Sequence, residues 1–480
     1  MESAQVVNCA ILGSRGLVAQ RYLQRLINHD WFNLVSVAGS SATVGLNIRN
    51  LPWSLDEERP DLPNITVSGL DDLDTLANEL LEKKVQFIFS AIPDAVAERV
   101  EIDLAKMGFC VISHALLHRL KGDVPLIIPE INPDHLSILE SQSHGRGYLI
   151  SCSNCMVVPI ALTLHPLMEK FNFSMIKILT EQSLSGGGRK MLERGRSGLS
   201  ISSSIPGESE SIISELNKIL GKKNGAIFQE ANLDIKVWCS REKHDYGHLA
   251  SIEIIFDDRV SAHEIIETWQ NFSTDAFDFR LPSSTHTIHF VDGRIDPTKN
   301  RWSGSITNSP SIDLTAGMVV SVGEIEVVDN KLKFKLLSDN TIRGAAGYGV
   351  LLAELIIADQ IISNNSQIKV DLNQSNSNID ELVELQPNQI NIGYELYLNP
   401  DQNNNEGFFY KGHGLSADME ISMPLSLIAQ EIVLQDTTAF ELNLSEENIL
   451  ENSNLFGKEE LPDAVNQEDL LDKKKQERER

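Results

Sequence analysis

The chain has 480 residues, 41% of them hydrophobic and 23% charged, with a formal net charge of −27. This length favours two or three domains, and the composition is that of a globular protein. The negative charge argues against nucleic acid as a main partner. No apolar run approaches the ~20 residues that span a bilayer, so we expect no membrane segment. The first residues lack the basic segment of a signal peptide, and we expect a cytoplasmic protein.

The cysteines show neither a disulfide framework nor the spacing of a zinc site, so we predict no metal. The five are Cys9, Cys110, Cys152, Cys155 and Cys239. Two of them form a C-x-x-C pair, for which a redox role is an alternative.

A predicted strand, a glycine turn and a helix open the chain. The apolar run 5–12 leads into the turn, and apolar residues at helical spacing follow it. Such turns let backbone amides approach a pyrophosphate, although an ordinary strand-to-helix turn is the alternative for this G-x-x-G-x-x-A pattern. The residues predicted to contact the cofactor here are Gly13, Ser14, Arg15, Gly16, Leu17 and Val18.

A second predicted strand, 33–39, ends at Ser40 and Ser41. No acidic residue follows it to hold the hydroxyls of an adenosine ribose. This favours NADP over NAD as the cofactor, with Arg15 as a candidate partner for the 2′-phosphate.

Further apolar runs, 85–93, 109–113 and 147–150, alternate with helical segments such as 95–107. This alternation predicts a doubly wound parallel sheet with ligands at the carboxyl ends of its strands. Arg119 follows one of these ends and is a candidate phosphate contact, with a surface ion pair as the alternative.

Cys155 lies between the strand 147–150 and a helical segment, 160–168. A thiol near helix-end amides is favoured as thiolate, so we predict that Cys155 is a nucleophile. The alternative is a buried cysteine with only a packing role.

The middle of the chain has a different pattern. Alternating runs at 174–184, 249–256 and 331–336, with a further predicted strand at 318–328, predict a mixed or antiparallel sheet. The first run ends at Ser185 and Gly186, where backbone can approach a flat ligand closely. A long apolar helix is predicted from about residue 341 to 362.

Several motifs, in this order, resemble the aspartate-semialdehyde dehydrogenase family in its archaeal and fungal branch, over about residues 5–365. They are the glycine turn, VIS at 111–113 with Arg119, PEINPDHL at 129–136, SNC at 153–155, EQSLSG at 181–186, CSR at 239–241 with GH at 247–248, and NTIRGAAG at 340–347.

The resemblance implies an α/β protein with a Rossmann-like doubly wound sheet and an α+β catalytic and dimerisation domain with a mixed or antiparallel sheet. The expected domains are an NAD(P)-binding domain at 1–150, completed by helix 341–365, and a catalytic domain at 151–340. Residues 366–480, with 23 acidic against 8 basic residues, would be an acidic, partly disordered extension.

The implied activity is the NADP-dependent reduction of β-aspartyl phosphate, with release of phosphate, in lysine, threonine, methionine and diaminopimelate biosynthesis. Cys155 would be the nucleophile, Gln182 would orient the substrate and His248 would be the acid/base. The implied substrate-binding residues are Arg241 for the carboxylate, Glu208 for the amine, Arg119 for the phosphate, and Asn154. Ser40, Ser41, Ser185, Gly186 and Asn340 would contact NADP, with NAD as the alternative. A homodimer or homotetramer is implied.

Several positions depart from the family pattern. The segment 308–313 lacks the usual Gln and Arg, and the serine-rich run after the second strand lacks the usual Arg. Ala19 replaces the last glycine of the turn, His114 stands where the family commonly has Asn, and Ser211 replaces a phosphate-binding Lys. Two other readings therefore stay open. One is a reductase of another acyl phosphate, such as N-acetylglutamyl phosphate, or of a coenzyme A thioester. The other is a non-catalytic scaffold whose acidic tail binds a partner.

Overall fold

The computed structural model describes residues 6–224, 227–274, 276 and 280–358, together with three short backbone strands in the extension. Both large sheets lie in the first of two compact units of the chain. Within the described residues, no helix has the length and apolar character to cross a membrane.

The first sheet has six parallel strands in the order β3-β2-β1-β4-β5-β6. Its strands are β1 (Val7–Leu12), β2 (Phe32–Gly39), β3 (Ser68–Gly69), β4 (Phe87–Ser90), β5 (Cys110–Ser113) and β6 (Tyr148–Ser151). The helices of this part are α1 (Leu17–Leu26), α2 (Leu73–Glu82), α3 (Asp94–Lys106) and the short α4 (Leu116–Arg119), with 3-10 turns at Ile48–Asn50 and Pro133–Ser141. The strand order reverses between β1 and β4, which is where such sheets bind ligands. The predicted doubly wound parallel sheet is confirmed.

The second sheet is mixed, as predicted, with the order β10-β7-β11-β14-β13-β12. Its strands are β7 (Phe173–Gln182), β10 (Ile235–Arg241), β11 (His248–Phe256), β12 (Ile288–Phe290), β13 (Val320–Val328) and β14 (Lys331–Ser338), and a separate hairpin contains β8 (Lys222–Asn224) and β9 (Ile227–Gln229). The central pairs β7–β11 and β11–β14 are antiparallel, whereas β10 runs parallel to β7.

One continuous apolar core joins the two sheets. Its centre is α5 (Val157–Lys170), which is buried along most of its length. The indole N–H of Trp269 donates to the carbonyl of Thr163 in α5 at 2.9 Å, which fixes a second helix against the first. The other helices are α6 (Gly188–Arg196), α7 (Glu208–Ile219), α8 (Ala262–Gln270), α9 (Pro297–Asn300) and α10 (Gly347–Ala358), with a 3-10 turn at Leu184–Gly187.

The last predicted helix begins with a π-helical turn, Ile342–Ala346, before α10. Residues 359–362 of that prediction lie outside the described residues. In the extension, β15 (Tyr394–Leu398), β16 (Gly407–Gly412) and β17 (Glu420–Pro424) form a three-stranded sheet in that order. The predicted disorder at the end of the extension also lies outside the described residues. The domain boundaries stay predictions.

Candidate active site

The turn between β6 and α5 carries Cys155. The side-chain oxygen of Asn154 accepts a hydrogen bond from the Met156 amide at 2.7 Å, and the helix begins at Val157. Burial raises the pKa of the Cys155 thiol to about 12 and outweighs the lowering effect of the nearby guanidinium groups. Position beside a helix start is therefore not sufficient to make this thiol a thiolate, and deprotonation depends on a partner.

His248, the first residue of β11, is the partner. Its Nε2 lies 3.2 Å from Sγ of Cys155, and the ring is fully buried. On the opposite side, Nδ1 lies 3.1 Å from both the amide and the hydroxyl of Ser183. An amide can only donate, so this contact favours a neutral ring with its proton on Nε2. Burial, reinforced by Arg241 and His244, lowers the pKa of His248 to about 3.

Glu208 organises two amide side chains beside the thiol. Gln182 Nε2 and Asn154 Nδ2 donate to the same carboxylate oxygen of Glu208, at 2.8 and 3.0 Å. Glu208 is the first residue of α7, after Gly207, whose φ of 76° requires glycine. The second oxygen has no partner among the described residues, so it can accept from a cationic ligand.

Arg241, at the end of β10, supplies the positive charge on the other side. One of its terminal nitrogens donates to the carbonyl of Ser183 at 2.7 Å. Its other N–H groups make no hydrogen bond within the described part of the chain, which leaves them for a carboxylate. A Cβ at Gly186 would lie 2.7 Å from the guanidinium and 2.8 Å from His248 Nε2, so glycine keeps this space open.

The glycine turn after β1 fits the pyrophosphate of a dinucleotide. Gly13 has a φ of 108°, and a Cβ there would lie 2.9 Å from the carbonyl oxygen of Ala91. α1 begins at Leu17, after an exposed Gly16, and no side chain caps its first amides. The amides of Leu17 and Val18 are therefore free to bind a phosphate.

The residues predicted for the adenosine end lie in two environments. Ser40 and Ser41 are exposed just after β2. Arg15 is half-buried, and it forms no ion pair with any described residue. The Ser14 hydroxyl instead faces inward and bonds to Thr43 Oγ1 at 2.9 Å, so it supports the turn.

Ser185 and Asn340, also predicted to contact the cofactor, are buried next to Ser183. Asn340 Oδ1 accepts hydrogen bonds from Ser183 Oγ at 3.1 Å, Ser185 Oγ at 3.2 Å and the Gly247 amide at 3.0 Å. These contacts place both residues on the far side of His248 from the thiol.

Residues 8–139 match the family model described as "Semialdehyde dehydrogenase, NAD binding domain". The chain is 32% identical over 360 residues to aspartate-semialdehyde dehydrogenase of Archaeoglobus fulgidus, covering 73% of this chain and 98% of that protein. The chain belongs to the aspartate-semialdehyde dehydrogenase family. A crystal structure of the Candida albicans member with NADP is similar, with a TM-score of 0.60 and 27% identity over 73% of this chain and 98% of that one.

A relative that is named for a different activity also matches. Malonyl CoA reductase (NADP) of Metallosphaera sedula is 29% identical over 380 residues, covering 74% of this chain and 97% of that protein. Similarity over the whole family region therefore does not by itself distinguish the acyl donor.

In this member of the aspartate-semialdehyde dehydrogenase family, the predicted phosphate contact Arg119 is engaged inside the protein. Its guanidinium donates to Glu215 Oε1 at 3.1 Å and to the carbonyl of His114 at 3.0 Å. Glu215 is fully buried, and its other oxygen accepts from the Ser153 hydroxyl at 2.8 Å and the Asn154 amide at 2.7 Å. The charge of Arg119 is thus already balanced by the carboxylate that anchors the Cys155 turn.

The two other departures near Arg119 add no positive charge. The Ser211 hydroxyl donates to Glu215 Oε1 at 2.6 Å. His114 Nε2 lies 2.6 Å from the Tyr22 hydroxyl, and burial lowers the pKa of His114 to about 3, so the ring is neutral.

Glu215 and Ser183 were not predicted from the sequence. Glu215 had a signal, because Glu208, Ser211 and Glu215 recur at intervals of three and four residues on one helix face. Ser183 had no such signal beyond its place in the EQSLSG motif. Its contact with His248 joins the ends of β7 and β11, which are neighbours in the sheet but distant in sequence.

Proposed function

We propose that this chain reduces β-aspartyl phosphate to L-aspartate β-semialdehyde with NADPH, through a thioester on Cys155. This is a step in lysine, threonine, methionine and diaminopimelate biosynthesis. The observation that carries the proposal is the 3.2 Å contact between Cys155 Sγ and His248 Nε2, beside the opposite charges of Arg241 and Glu208.

The charges match an amino acid substrate. A guanidinium with free N–H groups binds a carboxylate through two oxygens, so Arg241 would hold the α-carboxylate. The unpartnered oxygen of Glu208 would accept from the α-ammonium group. Gln182, fixed by the same carboxylate, would orient the carbonyl that Cys155 attacks.

The reaction divides into two steps at the sulfur. His248, with its ring proton on Nδ1, takes the proton of the Cys155 thiol at Nε2. The sulfur attacks the acyl carbon, a carbon–sulfur bond forms, and the bond to the phosphate oxygen breaks. The chemistry that a bound nicotinamide supplies is hydride transfer, which reduces the thioester. His248 holds a proton on Nε2, where it stabilises the developing oxyanion and then the released thiolate.

NADP is the proposed cofactor. The open amides after Gly16 would bind the pyrophosphate. Arg15, which forms no ion pair with any described residue, and the exposed Ser40 and Ser41 would bind the 2′-phosphate. No carboxylate stands at the end of β2 to favour the free ribose hydroxyls of NAD.

A second candidate substrate is a coenzyme A thioester, and the pairing of Arg119 with Glu215 favours it. A phosphoryl group needs cationic partners, whereas a thioester sulfur needs none. Turnover of malonyl coenzyme A that exceeds turnover of the acyl phosphate would support this second candidate.

We propose that the chain forms a homodimer or homotetramer through the open face of the second sheet. Trp238 on the edge strand β10 and Leu179 on its neighbour β7 are 53% and 48% exposed there, and paired exposed apolar side chains of this size often mark an interface. Lysines and glutamates surround them, such as Lys177 and Glu253, which lie 2.9 Å apart. A patch with charges of both signs can be electrostatically complementary to the same patch on a second copy of the chain. Trp238→Glu should reduce the mass in solution to that of a monomer.

The deciding assay is phosphate-dependent reduction of NADP and NAD with L-aspartate β-semialdehyde, for the native chain and Cys155→Ala. Activity that depends on Cys155 supports the proposed reaction, and the ratio of the two rates reports the cofactor preference. A folded native chain with no activity on either cofactor would reject it. Since the thiol must stay reduced, we also propose a cytoplasmic location.

A further inference from the structure

The hydroxyl of Ser183 lies between buried groups that differ in whether they donate or accept hydrogen bonds. Its oxygen is 3.1 Å from His248 Nδ1, 3.1 Å from Asn340 Oδ1 and 3.0 Å from the Ser185 hydroxyl. Asn340 Oδ1 can only accept a hydrogen bond, whereas Nδ1 accepts or donates according to where the ring holds its proton. A serine has a single hydroxyl proton, so the hydroxyl either donates to Nδ1 or points away from it, to Asn340 or Ser185.

We propose that Ser183 is a positioning residue whose hydroxyl selects the protonation site of His248. In the first orientation, the hydroxyl donates to Nδ1 and the ring proton sits on Nε2, facing Cys155. In the second, the hydroxyl donates to Asn340 and its oxygen accepts from Nδ1–H, so Nε2 is free to take the thiol proton. The inference rests on the proposed roles of Cys155 and His248.

The hydroxyl is needed because the backbone opposes the second state. The Ser183 amide also points at Nδ1, at 3.1 Å, and two N–H groups cannot share a hydrogen bond. Without the hydroxyl oxygen, a proton on Nδ1 would have no acceptor among the described residues. Asn340 is held for its part by the Gly247 amide at 3.0 Å and by its own bond to Ser185 at 3.0 Å.

The change from the first state to the second moves the ring proton from Nε2 to Nδ1 by exchange with water. From the second state, the proton balance is closed within these groups. Starting from the second orientation, the S–H bond of Cys155 breaks and its proton passes to Nε2. The products are a thiolate and an imidazolium whose Nδ1–H is held by Ser183 Oγ. The reverse transfer restores the thiol.

Other charged groups face the ring, but none of them depends on the orientation of Ser183. They are Cys155 from the turn before α5, Arg241 from β10, His244 from the turn before β11, and Asp339 after β14. Arg241 and His244 disfavour a positive ring and Asp339 favours it. Asp339 is itself fixed by an ion pair with Arg301 at 2.5 Å.

The test is the rate at which iodoacetamide alkylates Cys155 in the full chain, without substrate or cofactor, measured against pH. Mass spectrometry separates this residue from the other cysteines. Ser183→Ala should lower the rate at pH 7 about tenfold and move the profile about one pH unit higher. Tenfold corresponds to about 1.4 kcal/mol, the size of one neutral hydrogen bond.

Three variants frame this result. Ser183→Thr keeps the hydroxyl and should restore the native profile. Asn340→Asp places a charged acceptor behind the hydroxyl and should move the profile to lower pH. The control is Ser240→Ala, which removes a serine hydroxyl that donates to the Thr180 carbonyl at 3.0 Å, and it should leave the profile unchanged.

A native pH profile in a folded Ser183→Ala variant would overturn the inference, as would a shift of Asn340→Asp to higher pH. The alkylation assay involves no substrate, so it separates this inference from the proposed function. A chain that shows the expected profiles but no turnover of aspartate semialdehyde would reject only the substrate.

Discussion

Glu215→Gln should loosen the turn that carries Cys155. The buried carboxylate accepts four hydrogen bonds, from Arg119, Ser211, Ser153 and the Asn154 amide. An amide of the same shape keeps one acceptor oxygen, so two donors would face an NH₂ group, and Arg119 would lose its counter-charge. Leaving one member of a buried ion pair unpaired costs about 3–5 kcal/mol, a large share of the ~5–15 kcal/mol that stabilises a typical protein.

Thermal unfolding followed by circular dichroism measures this cost. At about 2.1 cal/mol/K of unfolding entropy per residue, a folded region of this size shifts by about 1–2 °C per kcal/mol, so the midpoint should fall by roughly 5 °C. The matched control is Ser211→Ala, which removes one neutral hydrogen bond and should cost about 1 kcal/mol. The pair Arg119→Met with Glu215→Leu should be more stable than Glu215→Gln alone, because neither charge is left unpaired. A midpoint for Glu215→Gln equal to that of the native chain would refute the reasoning.

Three other variants address the catalytic pair, the cofactor and the extension. Gly186→Ala puts a Cβ 2.7 Å from the Arg241 guanidinium and 2.8 Å from His248 Nε2. The value of kcat/KM should therefore fall at least tenfold, whereas the unfolding midpoint should change little. Native activity in this variant would contradict the described geometry. Arg15→Ala should raise the KM for NADP about 10- to 100-fold and leave the KM for NAD nearly constant, because a charged phosphate contact is worth about 1.5–3 kcal/mol. An unchanged ratio of the two KM values would show that Arg15 does not bind the 2′-phosphate. Deleting residues 366–480 should leave turnover within about twofold of the native rate, because 73% of this chain matches 98% of the Archaeoglobus relative. A larger loss would show that the extension contributes to catalysis.

Elements with a strong hydrophobic pattern were predictable, and elements without one were not. Buried parallel strands need apolar side chains on both faces, which makes their runs visible in sequence. The strand β10 (Ile235–Arg241) was not predicted, because it is half-exposed and its place is set by pairing with β7, about sixty residues earlier. The start of the last helix was predicted, but not its π-helical first turn. This turn lies against Cys155, where a Cβ at Gly344 would be 2.7 Å from that of the cysteine.

The sequence by itself determined that a parallel sheet precedes a mixed sheet along the chain. It also determined the glycine turn and the reactive residue types around Cys155. These follow from local periodicity and from motifs that survive in linear order. Only the tertiary structure decided which charges are free. Arg119 lies 96 residues from Glu215 and Ser183 lies 65 residues from His248, and neither contact leaves a local pattern. Folding buries both contacts, and burial makes every unpaired charge or donor costly, so the partners found at long range set the chemistry of the site.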